Sequence, residues 1–194
     1  MNKNIGLFFG TFNPIHHGHL MLADYLLNSS NLDALWFVVT PQNPFKKKQS
    51  LLDNHQRLHM VHLAIEEFPQ FSVSDIEFGL PQPNYTVHTL AVLEEKFPEY
   101  RLNLIVGEDN LKNFTKWKNY EVILSRYHLL VYPRLGDGNI PELLQNHPSI
   151  TFVDAPKIEV SSTMIRSSIE DRKPLKTFMP FKVWQYIDEM HFYR

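Results

Sequence analysis

The chain has 194 residues, a formal net charge of −2, 43% hydrophobic and 21% charged residues, and no cysteine. That balance suits one globular domain, 1–194, with little room for a second. It excludes disulfides, thiolate nucleophiles and thiolate-bound zinc, and its scattered charge argues against a nucleic-acid surface.

Apolar and β-branched runs predict strands at 4–10, 34–40, 71–78, 101–107, 127–134 and 149–154. Helical spacing predicts helices over 19–30, 51–68 and 85–97, and Pro180 stands at the first turn of another. Strand–helix alternation implies an α/β fold: a Rossmann-like doubly wound, mostly parallel sheet with helices on both faces. Ligands of such folds sit beyond the carboxyl ends of the strands, so each motif should lie just after one. No run approaches the roughly eighteen apolar residues of a membrane span, and no signal peptide is evident, so a cytoplasmic location without a membrane partner is expected.

The first strand runs into "GTFNPIHHGHL", Gly10 to Leu20. Gly10 allows close approach of a backbone, and Gly18 and His19 fall at a helix start, where free N–H groups favour an anion. His16 and His19 flank that place and can donate to phosphate oxygens, more strongly when protonated. Zinc held by His16, His17 and His19 is disfavoured because the loop offers no Cys, Asp or Glu. A plain turn would explain any one histidine but not His-x-Gly-His.

After the second strand, "TPQNPFKKK" places Lys46 in a local positive patch; standing alone, it would read as a solvated loop. Gly107 and Asp109 follow the fourth strand, where a carboxylate can accept from ribose hydroxyls or merely cap a helix. Trp117, among the polar neighbours "TKWKN", offers a flat face for a ring, and Thr86 and the backbone at Lys118 are donors for a carboxylate. Arg134 ends the fifth predicted strand, as a phosphate contact or a surface residue. In "EVSSTMIRSSI", Ser161, Ser162 and Thr163 form an N-cap cluster, with Arg166 about one turn into the helix.

The opening loop resembles the signature of the nucleotidyltransferase superfamily that shares His-x-Gly-His with class I aminoacyl-tRNA synthetases. "SSTMIR" resembles its Ile-Ser-x-Thr-x-x-Arg motif. "NYTVHTL", "IVGEDNL" and "FTKWKNY" are similar to bacterial nicotinate mononucleotide adenylyltransferases. The resemblance implies an enzyme of NAD biosynthesis that transfers AMP from ATP to nicotinate mononucleotide, giving deamido-NAD and pyrophosphate. It implies His16, His19, Lys46 and Arg166 as the catalytic cations. ATP would be bound by Gly10, Thr11, Phe12, His16, Gly18, His19, Gly107, Asp109, Ser162, Thr163 and Arg166. Nicotinate mononucleotide would be bound by Asn13, Lys46, Thr86, Trp117, Lys118 and Arg134.

Magnesium (Mg2+) is expected to arrive with ATP rather than at a protein metal site, and the sequence leaves a homo-oligomer open. Departures from the family pattern are Phe9 for a second glycine, Asn13 for the common Asp, Phe45 for histidine, and Lys118 where an aromatic residue is frequent. Alternatives are phosphopantetheine or nicotinamide mononucleotide adenylyltransferase, or a nucleotide-binding protein without turnover. The "YTVHTL" and "GEDNL…W" block weighs against the first, and intact His16, His19 and Arg166 against the last.

Overall fold

The computed structural model describes residues 3–41, 51–134 and 139–194. Among them, β1 (Lys3–Gly10), β2 (Ala34–Val39), β3 (Phe71–Ser74), β4 (Tyr100–Gly107), β5 (His128–Tyr132) and β6 (Ile150–Phe152) form one sheet. Its order is β3-β2-β1-β4-β5-β6, and every pairing is parallel. The helices are α1 (His17–Ser29), α2 (Asn54–Ile65), α3 (Thr86–Lys96), α4 (Glu108–Leu111), α5 (Tyr120–Arg126), α6 (Glu142–Gln145), α7 (Ser162–Glu170) and α8 (Phe181–Glu189). None of the described helices is long and apolar enough to cross a membrane.

Successive strand side chains point to opposite faces, so an all-apolar strand feeds two core layers at once. Ile5 and Leu7 of β1 join Leu102, Leu104 and Val106 of β4 beneath α3 and α5. Phe8 of β1 joins Phe37 of β2 and Tyr132 of β5 on the other face, against α1, α2, α7 and α8. The doubly wound arrangement expected from the alternation is what the sheet shows.

Several boundaries differ from the sequence reading by a few residues, and two of them have a local cause. Helix α1 starts at His17, two residues before the expected position, because His16 is extended (φ −149°, ψ 169°) and caps it. The strand expected over 71–78 ends at Ser74. There the Ser74 hydroxyl accepts from the Ile76 N–H at 3.3 Å, and the chain turns into a 3-10 segment, Ile76–Gly79. This is an edge strand with one neighbour, so a local side-chain turn competes well with the ladder.

Because β1 pairs with β2 on one side and β4 on the other, crossovers leave in opposite directions there. The carboxyl ends of β1 and β4 therefore open onto a crevice.

Candidate active site

A cavity of about 1390 Å³ occupies that crevice, and Gly10, Thr11, Asn13, Gly18, Asp109 and Thr163 are all on its wall. The loop after β1 is bent by Phe12, whose φ of 45° is a left-handed conformation for a bulky residue. Its ring is buried, edge-on to Phe8, Phe37 and His19. Any ligand contact of Phe12 therefore falls to its backbone. A Cβ on Gly10 would come within 2.8 Å of the Phe12 ring, so the glycine makes room for the core rather than for a ligand alone.

His16 and His19 stack with ring centroids 3.7 Å apart. The His16 backbone N–H donates to His19 Nδ1 at 3.3 Å, which assigns the ring proton of neutral His19 to Nε2 and makes that nitrogen the donor. His16 is 4% exposed, and its Nδ1 is buried without a partner among the described residues. A Cβ on Gly18 would meet His16 Nδ1 at 3.0 Å, so glycine is what lets the imidazole lie over the helix start.

Burial, then the positive charges of Arg134 and His17, pulls His16 down to about 3. Burial also holds His19 well below the ordinary histidine range, with His16 and Arg134 adding to it. Both rings are therefore neutral at pH 7, and each carries one N–H with which to donate.

The sign of the stability effect follows. Unfolded histidine protonates below about pH 6.5 while folded His16 does not, so stability is intact above 6.5 and falls as pH drops from there toward 3. Between pH 6.5 and 5 His16 alone accounts for about 2 kcal/mol. The Tm of the ligand-free protein is expected to fall over that interval, and to fall less in His16→Asn.

The second junction closes on the first. Ser161 caps α7, accepting from the Met164 N–H at 3.2 Å. Ser162 Oγ donates to the Pro14 carbonyl at 2.9 Å, and Arg166 Nη1 donates to the Asn13 carbonyl at 2.9 Å. Ser162 therefore spends its proton on the histidine loop, and Arg166 uses one arm there while its other reaches Thr163 Oγ1 at 3.4 Å.

Comparison with known proteins fits this layout. The cytidylyltransferase-like family profile matches residues 7–168. A protein of Flavobacterium psychrophilum named "Probable nicotinate-nucleotide adenylyltransferase" is 55% identical over 190 residues, covering 98% of each chain. One of the same name from Christiangramia forsetii is 55% identical over 194 residues, covering 100% of both. The chain belongs to the nicotinate-nucleotide adenylyltransferase family. Its fold matches the Plasmodium falciparum nicotinic acid mononucleotide adenylyltransferase complexed with NaAD, with a TM-score of 0.78 over 98% of this chain and 97% of that one, at 22% identity.

In this family member the remaining expected residues divide the cavity. Asp109 lies just past Gly107, where a Cβ would come within 2.5 Å of Asp109 Oδ1. Arg134 Nε stands 3.9 Å from Asp109 Oδ2, and its positive charge helps to hold both histidines low. Thr86, on the same cavity wall, opens α3 with the free N–H groups of a helix start. Trp117 is partly exposed, tilted against Phe114 at 5.0 Å. The Lys118 ammonium sits 4.5 Å above the Tyr85 ring, so its side chain is engaged and its backbone is what remains for a ligand. Lys46 lies outside the described residues.

Three site residues escaped the sequence reading. Glu77 and Asn84 are buried on the cavity wall, and Glu77 Oε2 and Asn84 Oδ1 have no hydrogen-bond partner among the described residues. Thr89 Oγ1 donates to Glu77 Oε1 at 2.7 Å, and burial raises the Glu77 carboxyl above its ordinary range. Arg57, wholly buried, holds the ends of β1 and β2 from below by donating to the carbonyls of Thr11, Thr40 and Pro41. Glu77 sat inside a run read as strand, and Arg57 on a helix whose polar spacing reads as surface.

Proposed function

We propose that the protein transfers AMP from ATP to nicotinate mononucleotide, forming deamido-NAD and pyrophosphate in the cytoplasm. The observation that carries this reading is one cavity with two unlike sets of residues on its wall. One set is His16, His19, Arg134 and Arg166, and the other is Trp117 with Thr86 at the start of α3. A polyphosphate suits the first, and a pyridine ring bearing a carboxylate suits the second.

The mononucleotide phosphate oxygen attacks the α-phosphorus in line, and pyrophosphate departs. His16, His19 and Arg166 neutralise charge growing on that leaving group, joined in this proposal by Lys46. Gly10, Thr11, Gly18 and Thr163 line the nucleotide path, and Asp109 receives ribose hydroxyls. Trp117 stacks on the pyridine, while the amides at Thr86 and Lys118 hold its carboxylate. Among the described residues no trio of His, Asp or Glu gathers to cage a metal. Magnesium would come bound to the triphosphate and supply further charge neutralisation.

Glu77 Oε2 and Asn84 Oδ1 favour a second reading, because two unfilled acceptors also suit a carboxamide NH2. Pyrophosphate release with nicotinate against nicotinamide mononucleotide distinguishes the two. Higher kcat/KM on the acid is the expected result; preference for the amide would overturn it.

Two further outcomes are expected. Trp117→Ala should raise KM for nicotinate mononucleotide about tenfold, as loss of one aromatic stack is worth roughly 1–3 kcal/mol, with KM for ATP little changed. Binding of ATP near pH 6.5 should take up protons, because the anion favours a charged His16 imidazole, which burial otherwise keeps neutral. Calorimetry in buffers of different ionisation heat reads that uptake directly.

A further inference from the structure

We propose that Tyr193 is a positioning residue whose hydroxyl sets the direction of the Asn13 amide, and with it the loop between β1 and α1. The claim that this affects mononucleotide use rests on the reaction proposed above.

Asn13 is 3% exposed and lies on the cavity wall. Its side-chain oxygen is approached from two sides, by the Tyr193 hydroxyl at 2.8 Å and the Leu52 backbone N–H at 3.3 Å. A backbone N–H can only donate, so the atom facing Leu52 must be the amide oxygen. Tyr193, which could otherwise donate or accept, is thereby assigned as a donor. Burial pushes the phenol far above its ordinary range, so it keeps that proton at any working pH.

The residues that bring Tyr193 there are arranged for it. Beyond α8 the chain turns back, with His191 at φ 56° and Tyr193 at φ 63°, both left-handed conformations unfavourable for such side chains. The Phe192 N–H bonds to the Ile187 carbonyl at 3.1 Å, and Arg194 pairs with Asp188, so the turn is pinned to α8. Helix α8 is seated on α2 through Tyr186 and His59, 4.7 Å apart. Such strained backbone persists only when neighbouring contacts hold it, and here it ends in a hydrogen bond to a site residue.

Tyr193→Phe keeps the ring and removes only the donor. Expected are a roughly tenfold loss of kcat/KM for nicotinate mononucleotide, KM for ATP within about twofold, and faster amide exchange at Leu52, whose acceptor loses its anchor. Asn13→Ala should lose at least as much, and the double variant should be no worse than Asn13→Ala, since Tyr193 acts through Asn13. Unchanged exchange at Leu52, or losses that multiply in the double variant, would overturn the proposal. The exchange measurement needs no substrate. If Tyr193→Phe gives the Leu52 response while the wild type makes no pyrophosphate with nicotinate mononucleotide, the Tyr193 link stands and only the reaction is defeated.

Discussion

His19→Ala is expected to lower kcat by about 10²- to 10³-fold while leaving KM for nicotinate mononucleotide within about threefold. The size is that of removing one preorganised donor from a developing oxyanion, roughly 3–4 kcal/mol. The direction follows from where the ring is. Its Nδ1 is occupied by the His16 N–H, so Nε2 is the nitrogen left to donate, and the ring is on the cavity wall. In the proposed reaction charge accumulates at that donor only as pyrophosphate separates, so the loss is expected in turnover rather than in ground-state binding. The His19 ring also packs against Phe12 at 5.1 Å, so the melting temperature should be measured alongside. An unchanged kcat in a folded variant would remove the histidines from the mechanism.

Arg57→Met is expected to lower stability by about 3–5 kcal/mol, the scale for breaking a buried charged network. The guanidinium is 0% exposed and has no ion-pair partner within 4 Å among the described residues. Its charge is spread instead over Leu52 O at 3.0 Å, Thr40 O at 2.9 Å, Pro41 O at 3.2 Å, Thr11 O and Asn54 Oδ1 at 2.6 Å. Methionine fills much of the volume but orphans those acceptors. For a domain of this size Tm should fall by about 10 °C, read by thermal denaturation. Lysine should restore little, because one ammonium cannot span the fork that the carbonyls match. A fall of only 1–2 °C would mean that water replaces the guanidinium freely.

The strands were legible because both their faces are buried, which writes "IGLFF" and "LNLIVG" as unbroken apolar runs. The histidine loop and the start of α7 were legible because their chemistry is local: residue types that serve an anion stand within one turn of a helix start. What escaped depends on distance along the chain. Arg57 reaches Thr11, 46 positions away, and Tyr193 reaches Asn13, 180 positions away. No window on the sequence contains both partners. Glu77 was hidden differently: edge strand β3 stops early, and that turn is a contest between one ladder and one serine hydroxyl. The neutral state of His16 and His19 was also out of reach, since it comes from the depth of the crevice rather than from residue type.

The contacts from Ser162 to Pro14 and from Arg166 to Asn13 span 148 and 153 positions. During translation the histidine loop leaves the ribosome long before its clasp exists. The part of the cavity wall that these two contacts join is therefore complete only once α7 has been made.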